Sequence, residues 1–152
     1  MPPQNFAAVR AAVLDGRANN IFYRLTQLEK LQKALLNEAV AIQDAIVADS
    51  GVTAAEAKIE FSLALEALRE RYAELDPKKE HENEFRIANK KNAEDARVGA
   101  GLVVIEPATH TLFYSIVAPI SAALAAGNCL IVRVSMIITR HDLKHCSYNQ
   151  SA

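Results

Sequence analysis

The stretch GLVVIEPATHTLFYSIVAPISAALAAGNCLIVR, residues 101–133, decides the fold. It opens with four consecutive strand formers, Leu102 to Ile105. Such a near-continuous apolar run suits a strand buried on both faces of a sheet. Residues 112–126 then read as a mostly apolar helix, interrupted by Pro119 and closed by Gly127-Asn128. Cys129-Leu-Ile-Val132 reads as a second strand. Strand, helix and strand in this order form a βαβ unit, which builds a parallel sheet with helices on its faces. The fold class is therefore α/β. Residues 112–138 are long enough to span a bilayer, yet Pro119, Gly127-Asn128 and Arg133 fall inside them, so the βαβ reading is preferred.

Upstream, breakers are few. After Pro2 and Pro3, the Gly and Pro residues before Pro77 are Gly16 and Gly51. Three helices are expected, over 5–15, 17–50 and 52–76. In the second, Ile21, Leu25, Leu28, Leu31, Leu35, Ile42 and Ile46 recur at helical spacing with one longer gap. Glu29 and Lys33 form a supporting pair at i,i+4. Gly51 reads as a helix stop, and Thr53-Ala-Ala-Glu56 as a capping box. Phe61, Leu65, Leu68 and Tyr72 give the third helix one apolar face. Residues 77–97 alternate in charge and hold Phe85 and Ile87 as their large apolar residues, which fits a solvated linker or an exposed helix. Downstream, residues 134–152 have no clear periodicity and read as a loose tail.

The whole chain has 152 residues, a formal charge of −1, 51 % hydrophobic and 23 % charged residues. Near-neutrality argues against a nucleic-acid arm or a polybasic membrane patch. The apolar content excludes wholesale disorder, and one domain of this length buries roughly 70 % of its unfolded surface. Glycine is scarce, at five residues, which favours helix over a turn-rich all-β fold. Two cysteines cannot build a disulfide framework and read as reduced thiols in a cytoplasmic setting. The first residues, with Asp15 and two arginines, do not make a signal peptide.

Few residues carry chemistry by spacing alone. Gly99-Ala-Gly101 precedes the strand instead of following it, so it is not a dinucleotide phosphate loop. His141, His145 and Cys146 have helical ligand spacing but sit in a polar tail, and no metal site is expected. Cys129 at the head of an apolar strand reads as a small core residue. His110 is more informative. It lies in the turn after the first strand, and ligands of open parallel sheets gather at the carboxyl ends of the strands. It either donates to a ligand and titrates near neutral pH, or bonds the local backbone, as Thr109 and Thr111 beside it also can.

In 101–133, Ala118-Pro119, Ala125-Ala126-Gly127-Asn128 and the following CLIV resemble the aldehyde dehydrogenase superfamily in content and spacing. RLTQLEKLQKALLNEAVAIQDAIVADSG also resembles that family's long amphipathic helix before an A-x-x-E helix. The resemblance covers about 17–133, and THTLFYSI most resembles an atypical, fungal-type branch. It implies NAD(P)-dependent oxidation of an aldehyde to a carboxylic acid through a cysteine thiolate. It also implies N-terminal helices followed by the start of a Rossmann-like cofactor-binding domain, here incomplete. By resemblance, His110 falls where the family has the turn Asn that helps hold the substrate oxyanion. Thr109 falls where Trp is usual. Arg133 takes the place of a Lys that touches the adenosine ribose, and Glu106, Thr109 and Arg133 are the expected cofactor-side residues. Met136 stands where an acidic ribose ligand is usual, and the likeness stops at Val134. Neither Cys129 nor Cys146 matches the nucleophile. The expectation is an N-terminal piece that is inactive alone, with a homo-oligomer as one state. The contrasting readings are a helical interaction protein docking on a partner or membrane, and a pseudoenzyme.

Overall fold

The computed structural model describes residues 4–91 and 98–133. The expected tail at 134–152, with His141, His145 and Cys146, lies outside the described residues. Six helices and two strands follow in the order α1 (Gln4–Leu14), α2 (Ile21–Asn37), α3 (Ala39–Ser50), α4 (Ala54–Ala73), α5 (Pro77–Ala88), β1 (Leu102–Ile105), α6 (Leu112–Ala125) and β2 (Cys129–Val132). A short 3-10 turn, Arg17–Asn19, links α1 to α2.

β1 and β2 pair in parallel, with Leu102 opposite Cys129 and Ile105 opposite Val132. The crossover between them is α6, as the alternation of apolar runs requires. α6 packs against α4, which supplies Ala64 and Leu68 to a core shared with Val117 and flanked by Leu31, Leu35 and Phe113. The Phe61 and Phe113 rings stack with centroids 5.5 Å apart. Leu28 and Leu68 are fully buried, each contributing about 2 kcal/mol by loss of apolar surface to water. α6 packs on both strands, and α1 also meets β2. Val104, by contrast, is 60 % exposed.

The expected helix over 17–50 is two helices. Glu38, at φ −101° and ψ 16°, separates α2 from α3. The break falls in the gap of the apolar stripe between Leu35 and Ile42. Leu36 and Val40 are exposed there, so no buried contact holds the axis straight. Asn37 just before it is a poor helix former because its amide competes with the backbone. α3 then turns to bury Ile46.

The expected linker over 77–97 begins with a helix. Asp76 caps α5, its Oδ1 accepting from the N–H groups of Lys78 at 2.9 Å and Lys79 at 3.4 Å, and Pro77 occupies the first turn. Of the two readings of this segment, the exposed helix holds for Pro77–Ala88, which buries no residue. Residues 92–97 lie outside the described residues.

The expected interruption at Pro119 is absent, since α6 runs through it. The ring removes one N–H donor, but packing on α4 and on both strands holds the segment helical. The other local signals are present as read. Thr53 and Glu56 form the reciprocal capping box, Gly51 closes α3 at φ 67°, and Lys33 meets Glu29 at 2.6 Å. Among the described residues, no helix is long and apolar enough to cross a membrane.

Candidate functional site

Parallel pairing puts the carboxyl ends of both strands on one edge. The Arg133 N–H donates to the Ile105 carbonyl at 2.8 Å, so Glu106 and Arg133 leave the sheet side by side. The turn 106–111 then carries Thr109 and His110 to the start of α6. All four residues are exposed. Among the described residues, no ion pair joins Glu106 to Arg133, and no hydrogen bond engages the His110 ring.

The backbone of this turn is held under strain. Thr111 sits in the left-handed region at φ 51° and ψ 45°, unusual for a β-branched residue and costing about 1–3 kcal/mol. Its hydroxyl donates to the His110 carbonyl at 2.7 Å. It therefore gives α6 no side-chain cap. The capping acceptor comes from another helix. Glu60 of α4 accepts from the Tyr114 N–H at 3.1 Å. A second tie lies within the unit, where the Ala108 N–H donates to Ser115 Oγ at 3.1 Å, and that hydroxyl donates to the Leu112 carbonyl at 3.0 Å.

An open cleft of about 590 Å³ lies between α4, α6 and the end of β1. Glu106, Glu70, Arg71, Tyr114 and Ser115 are on its walls. Thus Glu106 faces this cleft, while Thr109, His110 and Arg133 are not among its wall residues.

The amino edge of the sheet is built differently. Asn128 is buried and uses both ends of its amide, with Oδ1 accepting from the Gly101 N–H at 3.0 Å and Nδ2 donating to the Ala123 carbonyl at 3.3 Å. Gly99 is required by packing, because a Cβ there would stand 2.5 Å from the Gly127 carbonyl oxygen. Gly99 thus serves close backbone approach before β1, while Gly101 takes up a positive φ of 100°. Arg24, only 7 % exposed, binds the carbonyls of Ala125 at 2.9 Å and Asn19 at 3.3 Å, and forms an ion pair with Glu80 of α5. A smaller cavity of about 340 Å³ next to it includes Cys129, Tyr23 and Gln27. Cys129 starts β2, so it lies a strand length, roughly 10 Å, from the edge where His110 stands.

Arg24, Glu60 and Ser115 were not singled out by the sequence. Arg24 and Glu60 carried a usable signal. Arg24 falls in the buried stripe Ile21, Arg24, Leu28, and Glu60 in the stripe Ala57, Glu60, Phe61, Ala64, Leu68. A charge inside an apolar stripe needs a partner, because burying it alone is costly. Among the described residues, no group of three His, Cys, Asp or Glu side chains is placed to hold a metal ion.

The family model described as the aldehyde dehydrogenase family matches residues 4–140. The match takes in α1 and residues 134–140, so it begins before 17 and runs on past Val134. No curated protein and no solved structure matches the chain.

Proposed function

The chain belongs to the aldehyde dehydrogenase family, and from that premise we propose that its β1–α6–β2 unit serves the NAD(P)-dependent oxidation of an aldehyde to a carboxylic acid. What supports this reading is that exposed Glu106 and Arg133 follow β1 and β2 side by side at the carboxyl edge of a parallel sheet, with exposed Thr109 and His110 in the turn after β1. Open α/β sheets bind ligands there.

The side chains present fit a dinucleotide by their chemistry. Arg133 offers a charged fork of donors for phosphate or sugar oxygens, and Glu106 and Thr109 offer acceptors for ribose hydroxyls. A nicotinamide group supplies a hydride acceptor when bound. His110 donates an N–H to the aldehyde oxygen as negative charge develops on it, which requires the tautomer with a proton on the nitrogen that faces the substrate. Lost donors of this kind cost about 10²–10³ in turnover in other enzymes.

The covalent step needs a thiolate beside that oxygen. Cys129 is at the opposite edge of the sheet and does not fill the role. In this reading the described part supplies the cofactor-side and oxyanion-side groups, and the thiolate comes from outside the described residues.

Calorimetric titration of the chain with NAD and then NADP tests the reading. Binding is expected, and it weakens at least about fivefold in Arg133→Ala, the scale of one lost charge-assisted contact. Absence of binding, or binding indifferent to Arg133, overturns the cofactor assignment. A second reading, an interaction protein, draws on exposed Phe85 and Ile87 of α5 and Val104 of β1. Stable co-purification of one defined partner, lost in Phe85→Ser, would favour it.

A further inference from the structure

We propose that Glu60 is a positioning residue for His110, acting through the first turn of α6; the inference rests on the reading of His110 given above. Glu60 is 9 % exposed, in the apolar stripe of α4, a place that a carboxylate occupies only with a partner. Its partner is the Tyr114 N–H, an orphan donor of the α6 N-terminus. Negative charge there also meets the positive end of the helix dipole.

The need for this cap is set by the turn itself. Thr111 precedes α6 in the left-handed region and spends its hydroxyl on the His110 carbonyl, so the usual local cap is missing. The helix start is then secured from α4 by two consecutive contacts, Phe61 stacking on Phe113 and Glu60 accepting from Tyr114. On the strand side, Ser115 Oγ holds Ala108. His110 therefore lies between two fixed points, at 108 and 114, and Glu60 is the one that ties the turn to the helical layer. Its role is to keep the strained Thr111 conformation in place and so to aim the imidazole.

The test uses NMR on the 152-residue chain, with no cofactor or aldehyde in the sample. Two signals are followed, hydrogen exchange of the Tyr114 amide and the ring resonances of His110. In Glu60→Ala, Tyr114 exchange is expected to rise about tenfold, the size of a lost charge-assisted hydrogen bond, and the His110 ring signals to move. Glu60→Gln keeps an oxygen acceptor and is expected to restore both. If Tyr114 exchange rises while the His110 ring signals stay, Glu60 merely caps the helix and the proposal fails. It also fails if Glu60→Gln behaves like Glu60→Ala. If Glu60→Ala does not fold, Glu60→Asp, whose shorter side chain withdraws the acceptor from the Tyr114 N–H, takes its place with the same two outcomes. A failed dinucleotide titration bears on the functional reading alone.

Discussion

The two edges of the small sheet solve opposite problems. At the amino edge Asn128 and Arg24 are drawn inward. Asn128 satisfies Gly101 and Ala123, and Arg24 clamps the end of α6 to the 3-10 turn and to α5. At the carboxyl edge, Glu106, Thr109, His110 and Arg133 point their chemistry to the outside, and the backbone there carries a strained Thr111. Under the proposed function, the difference separates stability from ligand binding. Buried polar groups with partners fix a structure, whereas exposed ones on a strained turn are available to a ligand.

Removing the Arg24 clamp should give the largest effect. Arg24→Ala leaves two carbonyls without donors and opens a hole in a packed site. A loss of about 3 kcal/mol is expected in urea unfolding. An effect below about 1 kcal/mol would mean that α5 and the 3-10 turn do not depend on it. Asn128→Ala should cost about 1–2 kcal/mol, because the half-buried Gly101 N–H loses its acceptor.

The carboxyl edge should respond with the opposite sign. Thr111→Gly relieves the left-handed strain and is expected to stabilise the chain by about 1 kcal/mol, read from the urea midpoint. The same change should broaden the His110 ring signals, since the turn loses its restraint. A destabilised variant would show that the Thr111 hydroxyl matters more than the strain.

The smallest effect lies far from both edges and serves as a reference. The Thr53 backbone N–H, and then its hydroxyl, hold the Glu56 carboxyl below its ordinary value of 4.5. A carboxyl depressed on folding contributes fully above its unfolded value, and that contribution is lost as pH falls through the folded value. Acid titration followed by circular dichroism should show this component in the wild type and its absence in Glu56→Ala.

Much of this division could be read before the fold was known. The strand–helix–strand order of 101–133, the Thr53–Glu56 box and the Gly51 stop are local, so spacing and residue type expose them. His110 was legible as a candidate because it follows a strand in a parallel unit. The break at Glu38 was not, because it depends on where α3 finds a surface for Ile46. For 77–97 the charge alternation left a solvated linker and an exposed helix both open, and the Asp76-Pro77 start signal agrees with the helix at Pro77–Ala88. Glu60 escaped for another reason. Its partner Tyr114 lies 54 residues away in sequence, and no periodicity reports such a pair.

By itself, then, the sequence determined the strand–helix–strand unit with its parallel pairing, the Thr53–Glu56 capping box and the Gly51 stop. These follow from period, propensity and the handed crossover of a βαβ unit, all short-range rules. Tertiary structure alone decided which charges are buried with partners and that α6 is capped from α4. Each of these needs residues distant in the chain to meet, and only the packing of helices on the sheet sets that meeting.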